Sequence, residues 1–385
     1  MRTLGGAALA LGAGAALALA AGPPASPFAD ARVVPLGAGR QPAALAAADF
    51  DRDGRLDVAV GGDGSGDVTL FLGDGRGGLR AGARVPAGPH PTEMVAVDLD
   101  RDGSPDLAVA NHESSELVIF LGDGKGGLRP ARGSPVRVHS VPHPHTIDAC
   151  DADGDGDLDL VLDDWGENRL TLVRGDGHGG FAGPGEPIEV GRKPYRNLKA
   201  RDLDADGRCD LVVPSYELGV VTVLRGDGRG GFRARAPVHA GPAPFTVDVG
   251  DLDGDGRVDL AVQNYSGQLS DPSDDALTFL LDDGRGGYRL GPRIATGRGP
   301  FVVVTGDVDG DRVSDAVTAD YGSSSLTVSR GGPGGLAESR TMPVPVPCRP
   351  QRLALADLNG DGRADAVVAC TEDEKLAVLL ARASR

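Results

Sequence analysis

Apolar residues in this chain come in short bursts separated by Gly- and Asp-rich breaks. Past residue 25, no burst reaches the length of an ordinary helix. One set runs Glu93-Met-Val-Ala-Val97, then Asp106-Leu-Ala-Val-Ala110, then Glu116-Leu-Val-Ile-Phe-Leu121, and ends in Gly122-Asp-Gly-Lys-Gly-Gly127. Runs of four to eight residues rich in Val, Leu and Phe and bounded by Gly and Asp predict β-strands. The interspersed glycines would destabilise a helix. A weaker fourth stretch follows each set, and the order then repeats. Four short strands in a recurring unit of roughly 50 residues is the pattern of a propeller blade.

The repeat is punctuated by the phrase D-x-D-x-D-G-x-x-D or a near copy. It begins at Asp49, Asp98, Asp151, Asp202, Asp251, Asp307 and Asp357. In each unit it joins the first strand to the second. The seventh unit stops after its third strand, Lys375-Leu-Ala-Val-Leu-Leu380. The missing fourth is found near the other end: Pro27-Phe-Ala-Asp-Ala-Arg-Val-Val-Pro35 parallels Gly78-Leu-Arg-Ala-Gly-Ala-Arg-Val-Pro86. The expected fold is therefore all-β, a seven-bladed β-propeller of four-stranded blades spanning residues 26–385. The N-terminal strand completes the last blade, so no sheet edge is left open to splay.

Carboxylates crowded into a tight turn repel one another unless something neutralises them. The spacing aims side-chain oxygens from positions one, three, five and nine at a common centre, joined by the carbonyl of position seven. Glycine at position six permits the sharp turn. All donors are hard oxygens, which suits calcium and not zinc. The expected ligands are Asp49, Asp51, Asp53 and Asp57; Asp98, Asp100, Asp102 and Asp106; Asp151, Asp153, Asp155 and Asp159; and Asp202, Asp204, Asp206 and Asp210. The remaining loops contribute Asp251, Asp253, Asp255 and Asp259; Asp307, Asp309, Asp311 and Asp315; and Asp357, Asn359, Asp361 and Asp365. Up to seven structural Ca²⁺ are expected. The formal net charge is −17, and seven dications would bring it to about −3 (−17 + 14). Two loops depart from the pattern. Asn359 supplies a neutral oxygen, and Arg312 stands where the others have glycine, which predicts a different turn in the sixth loop.

Seven such motifs followed by Asp-Leu-Ala-Val-like strands resemble the FG-GAP/VCBS repeat family. The closest phrases are Asp98-Leu-Asp-Arg-Asp-Gly-Ser-Pro-Asp-Leu-Ala-Val109 and Asp251-Leu-Asp-Gly-Asp-Gly-Arg-Val-Asp-Leu-Ala-Val262. The resemblance covers roughly residues 28 to 380. The same repeat builds the propeller of integrin α subunits, where the matching loops bind calcium. It implies an extracellular calcium-bound propeller used in adhesion, in carbohydrate binding or as a scaffold, and it does not fix a function.

Composition narrows the classes further. Asp plus Glu number 56 against 39 Lys plus Arg, which argues against nucleic acid as a partner. Sixty glycines occur with no three-residue period, which excludes collagen. Residues 1–25, with Arg2 ahead of an uncharged Ala/Leu/Gly run, read as a signal peptide. A secreted protein, extracellular or periplasmic and without a membrane span after signal removal, is expected. Export permits disulfides. Cys348 and Cys370 flank the first hairpin of the seventh blade and are placed to pair. Cys150 and Cys209 lie beside the loops of adjacent units, where a bridge and two buried thiols are both open.

Loops opposite the acidic turns collect unusual residues. Those entering the first strands carry His90, His143, His145, Lys193, Tyr195 and Arg349. Those joining second and third strands carry His112, Asp164, Trp165, Tyr216, Tyr265 and Tyr321. Aromatic rings beside polar groups suit a glycan or a protein segment, so this is the candidate ligand face. His143-Pro-His145 with His90 or His112 is a weak transition-metal pattern. No nucleophile elbow, H-E-x-x-H or phosphate loop occurs. Three classes remain: a calcium-stabilised extracellular binding or adhesion module, a scaffold without a small ligand, and a polysaccharide-active lyase or hydrolase.

Overall fold

The computed structural model describes residues 26–36, 40–112, 114–138, 144–164, 168–190, 197–265, 267, 269, 272–332 and 342–383. The expected signal peptide lies outside the described residues. The chain forms seven antiparallel sheets arranged as a closed propeller. The first blade is β2 (Pro42–Ala48), β3 (Asp57–Gly62), β4 (Asp67–Gly73) and β5 (Leu79–Pro86), in that order from the centre outward. The first strands of the next five blades are β6 (Pro91–Val97), β11 (Ile147–Cys150), β15 (Lys199–Arg201), β20 (Pro244–Gly250) and β24 (Pro300–Gly306). With β2 and the seventh blade's β28 (Arg352–Ala356), they pack side by side around a central channel.

Burial follows this radial order. Every residue of each second strand is buried, because neighbouring blades cover both faces. The outer strand β5 alternates between exposed and half-buried. The apolar core is divided into seven clusters, one at each blade interface. One example joins Val58 and Phe71 of the first blade to Val367 and Leu376 of the seventh.

Closure occurs as expected. The seventh blade is β28, β29 (Asp365–Cys370), β30 (Lys375–Leu379) and β1 (Arg32–Pro35). β1 pairs antiparallel with β30, from Arg32 opposite Val378 to Pro35 opposite Lys375. The seam extends beyond the strands: Ala29 N–H donates to the Leu380 carbonyl at 2.7 Å, and Arg382 N–H to that of Pro27 at 2.7 Å. Phe28, 1% exposed, drives the segment into the interface between blades six and seven. In the second and fourth blades the outer edge is broken into two short pieces. β9 (Leu128–Pro130) and β10 (Val136–Arg137) both pair with β8 (Glu116–Gly122), with Gly133 and Pro135 between them.

Both cysteine pairs are bridged. Cys348–Cys370 lies within the seventh blade, with Cα atoms 5.9 Å apart, and Cys150–Cys209 ties the third blade to the fourth at 6.0 Å.

Candidate metal loops and the opposite face

The seven acidic turns share one hydrogen-bond scheme. In each, the first Asp accepts the N–H of position six at 2.8–2.9 Å, as Asp49 does from Gly54. The fifth accepts the N–H of position seven at 2.7–3.0 Å, as Asp53 does from Arg55. These bonds curl the turn around its own carboxylates. The sixth loop uses the same scheme despite Arg312. Its N–H donates to Asp307 at 2.8 Å, and its backbone takes φ +73°, where the first loop has Gly54 at +84°. The different turn expected there is not formed: the loop is held from both ends, so the arginine adopts the left-handed conformation.

The ninth residue does more than its spacing announced. In every loop one of its oxygens accepts the N–H of position two, at 2.8–3.2 Å. The other accepts a backbone N–H at the end of the third strand or just beyond it, at 2.7–3.0 Å. Asp57, Asp106, Asp159, Asp210, Asp259, Asp315 and Asp365 thus staple each turn to the third strand, and all are at most 1% exposed. Burial, reinforced by neighbouring carboxylates such as Asp51, pushes Asp57 up to about 6. Burial likewise takes Asp315 to about 7.

The donor sets fit a hard cation. One oxygen each of Asp49, Asp51 and Asp53 lies within 4.8 Å of the others, as in Asp98/Asp100/Asp106, Asp151/Asp153/Asp159, Asp202/Asp204/Asp206 and Asp251/Asp253/Asp255. Oδ1 of Asp98 and Oδ1 of Asp253 are buried and receive no hydrogen bond among the described residues. Such orphaned carboxylate oxygens are what a bound cation satisfies. The loops are not equivalent, however. Arg225, at the end of the fourth blade's third strand, sits 3.3 Å from Asp204 and also pairs with Asp210. Arg330 lies 3.3 Å from Asp309, and Arg174 pairs with Asp153. The other four blades have Leu72, Leu121, Leu281 and Leu380 at this position.

On the opposite face, the structure gathers some of the expected residues and scatters others. His143, Trp165, Lys193 and Tyr195 lie outside the described residues. His90 Nδ1 is 2.9 Å from Asp63, and its carbonyl accepts the His112 N–H at 3.0 Å. The His112 and His145 rings are 4.9 Å apart. His145 is fixed by the buried Asp163, which accepts its backbone N–H at 2.7 Å and lies 3.2 Å from Nδ1. Asp164 accepts from Arg169 at 2.9 Å. Tyr216 opens a short 3-10 turn, Tyr216–Leu218.

Tyr265 is 6% exposed, so its ring backs Phe245 and Phe301 instead of facing solvent. Phe301 in turn stands 6.2 Å from Tyr321, whose hydroxyl donates to Glu372 at 2.6 Å. Arg349 donates to that hydroxyl at 3.0 Å and lies over the Tyr321 ring.

The arc of rings leads to a feature missed in the sequence: a charged central channel. Its mouth is lined by Glu93, His145, Asn197, Phe245, Phe301 and Arg352. It continues into a chamber of about 330 Å³ that adds Asp148, Lys199, Arg201 and Asp248. Lys199 pairs with Asp248 at 3.3 Å, and Arg201 with Asp148 at 3.3 Å. Burial raises the Glu93 carboxyl above its usual range, against the pull of Arg352 and Lys199. The available signal was charge on first strands, where Thr92-Glu93-Met94 and Leu198-Lys199-Ala200 interrupt otherwise apolar sequence.

The sequence pattern of FG-GAP-like repeats matches residues 49–109, 98–162, 202–262 and 307–368. The chain belongs to the FG-GAP-like repeat family. No curated protein sequence matches it. Among solved structures, it is similar to BBS1N in complex with ARL6DN, at 14% identity and TM-score 0.65, covering 94% of this chain and 98% of that one. It is also similar to the periplasmic gluconolactonase PpgL of Pseudomonas aeruginosa, at 23% identity and TM-score 0.59, over 79% and 85% of the two chains. A third is an Agrocybe aegerita lectin that recognises non-reducing terminal N-acetylglucosamine, at 18% identity and TM-score 0.52, over 77% and 79%. At these identities the likeness is one of fold. Among the described residues, no helix is long and apolar enough to cross a membrane.

Proposed function

We propose that this FG-GAP-repeat propeller is a secreted, calcium-stabilised binding or adhesion module whose glycan or protein ligand docks opposite the acidic turns. The observation that carries the reading is the identity of the seven turns. Each presents side-chain oxygens at the same four positions, carboxylates at all of them except Asn359, in blades whose other loops differ freely. The residues that would hold Ca²⁺ are the first, third, fifth and ninth side chains of each motif. Bound there, the ion supplies charge neutralisation and pins the first hairpin of each blade. The chain's own residues do the rest: the ninth Asp anchors the turn to the third strand, and the loops of the far face remain available for recognition.

Two bridged cysteine pairs suit an oxidising compartment, extracellular or periplasmic. The likeness to a lectin and to an ARL6DN-bound propeller supports a binding role. The test is binding of the calcium-loaded protein to glycan and extracellular-protein arrays, repeated in chelator. Calcium-dependent capture is expected, and no capture on either array would leave a scaffold. A second reading, a polysaccharide lyase or hydrolase, has the likeness to the gluconolactonase propeller and one feature of the site in its favour. His145, oriented by the buried Asp163 at the channel mouth, has the arrangement of a general base. Product formation lost in His145→Gln would establish it.

A further inference from the structure

We propose that the central channel, from its mouth into the chamber of about 330 Å³, is a binding site for a single neutral sugar unit, entering end-on from the face opposite the acidic turns. The inference rests on the binding-module reading and specifies its ligand and its seat.

Charge decides the class of guest. The channel holds three carboxylates, Glu93, Asp148 and Asp248, and three cations, Lys199, Arg201 and Arg352. Its balance is complete without a ligand. A net charge brought among these paired groups, with no spare counterion, would give up part of its hydration without compensation. A neutral guest has no such penalty, but it must offer many hydroxyl groups, because the wall is made of hydrogen-bonding planes. Glu93 presents a carboxylate, Arg352 a guanidinium and Asn197 an amide.

The apolar part of the site has a matching shape. Phe301 and Phe245 meet edge to face with centroids 5.7 Å apart and line the mouth beside these polar groups. A pyranose has the same division, with C–H groups on its faces and hydroxyls around its rim. The ring arc continues outward from Phe301 to Tyr321 and Arg349 at the rim, so a chain could extend from a unit held in the mouth.

The wall is built to stay in place. Asp148 accepts the Ala200 N–H of the next blade at 3.0 Å, and Asp248 that of Thr305 at 2.8 Å. Asn197 accepts the Val247 N–H at 2.8 Å, and Thr246 that of Val303 at 3.2 Å. Each bond crosses a blade boundary, so the lining is clamped before any ligand arrives, and preorganisation of this kind favours binding.

The test is saturation-transfer NMR and titration calorimetry on the full chain in calcium. The probes are methyl β-D-glucopyranoside and N-acetylglucosamine as neutral sugars, glucuronate as an anion and glucosamine as a cation. Neutral probes are expected to bind. Glu93→Gln, which keeps the side-chain shape, should weaken them about ten- to a hundredfold in protein whose melting curve shows it folded. Phe301→Ala should also weaken them, and His178→Gln, exposed in the outer turn of the third blade, should not. The proposal is overturned if no neutral probe binds, if glucuronate or glucosamine binds more tightly, or if Glu93→Gln binds as wild type does. Array capture that is retained in Glu93→Gln would move the seat elsewhere while leaving the binding-module reading intact. The absence of any array capture would remove both.

Discussion

Arg225→Leu places in the fourth blade the residue that the first, second, fifth and seventh blades carry at the same point. Arg225 is largely buried, with 11% side-chain exposure, and its guanidinium reaches both Asp204 and Asp210 of the metal loop. A cation held against two of the loop's carboxylates would lie on the order of 5 Å from an ion bound by those same carboxylates, roughly one ion-pair contact plus one coordination distance. At that distance a unit charge repels a dication by about 1.7 kcal/mol even in a water-like dielectric, and by more at the lower effective dielectric of a protein surface. The arginine can swing away at some conformational cost, so the smaller figure governs, equivalent to about twentyfold in affinity. Calorimetric titration of the metal-free protein should therefore show two classes of site. The third, fourth and sixth loops, which face Arg174, Arg225 and Arg330, together with the fifth, whose Asp253 has Arg289 at 3.3 Å, form the weaker class. Arg225→Leu should move one site from the weaker class to the tighter, and Leu121→Arg in the second blade should do the reverse. An isotherm unchanged by Arg225→Leu in a folded protein would refute the reasoning, because it would mean that the guanidinium contributes nothing to the field at the site.

Chelation should lower the melting temperature. A site saturated a hundredfold above its dissociation constant contributes about 2.7 kcal/mol. For a chain of this length that is about 3 °C per loop and about 20 °C for seven; a melting curve that ignores chelator would exclude structural calcium. Arg312→Gly should raise stability by about 0.5–1 kcal/mol in denaturant titrations, by relieving the left-handed backbone at φ +73°. Phe28→Ala should cost about 3–5 kcal/mol by emptying a fully buried site at the closing seam. Asp320, buried at the end of β25 (Asp315–Asp320), is pushed up to about 7 by burial, against hydrogen bonds from Thr327 and Thr318. Its native pKa lies above the unfolded value, so the native state binds the extra proton between about pH 4 and 7, and stability declines as pH rises through that window. Asp320→Asn should flatten this decline, gaining relative to wild type at pH 8 and not at pH 4.

The blades were legible because their rule is local and repeated. Asp106-Leu-Ala-Val-Ala110 is apolar on both faces because blades stack on either side of it, and the same run recurs in every unit. The closing strand was legible for the same reason, since Pro27-Phe-Ala-Asp-Ala-Arg-Val-Val-Pro35 is a fourth strand with no first three before it. Spacing also brought out the clustered carboxylates of the acidic turns. It did not reveal that the ninth Asp spends both oxygens on backbone N–H groups, because one donor lies about 16 residues away, at Gly73 for Asp57. Nor did it reveal the arginines, which approach from the third strand of the same blade.

The channel was hidden by a different logic. Its lining takes one or two side chains from each of several blades: Glu93 from the second, Asp148 from the third, Lys199 from the fourth, Asp248 from the fifth and Arg352 from the seventh. Each of these short first strands carries one such charged residue, or two in β15, and alone each reads as an edge position in contact with solvent. Only ring closure brings them within reach of one another, and the ring is the one property a single repeat cannot express. A repeat therefore states its scaffold in every copy and its site in none. What distinguishes this propeller from others of its fold lies where the copies disagree, at the inward-facing positions of the first strands and in the loops above them. The departures from the repeat, Glu93 and Arg352 before any of the conserved-looking aspartates, are the residues to follow in assigning its ligand.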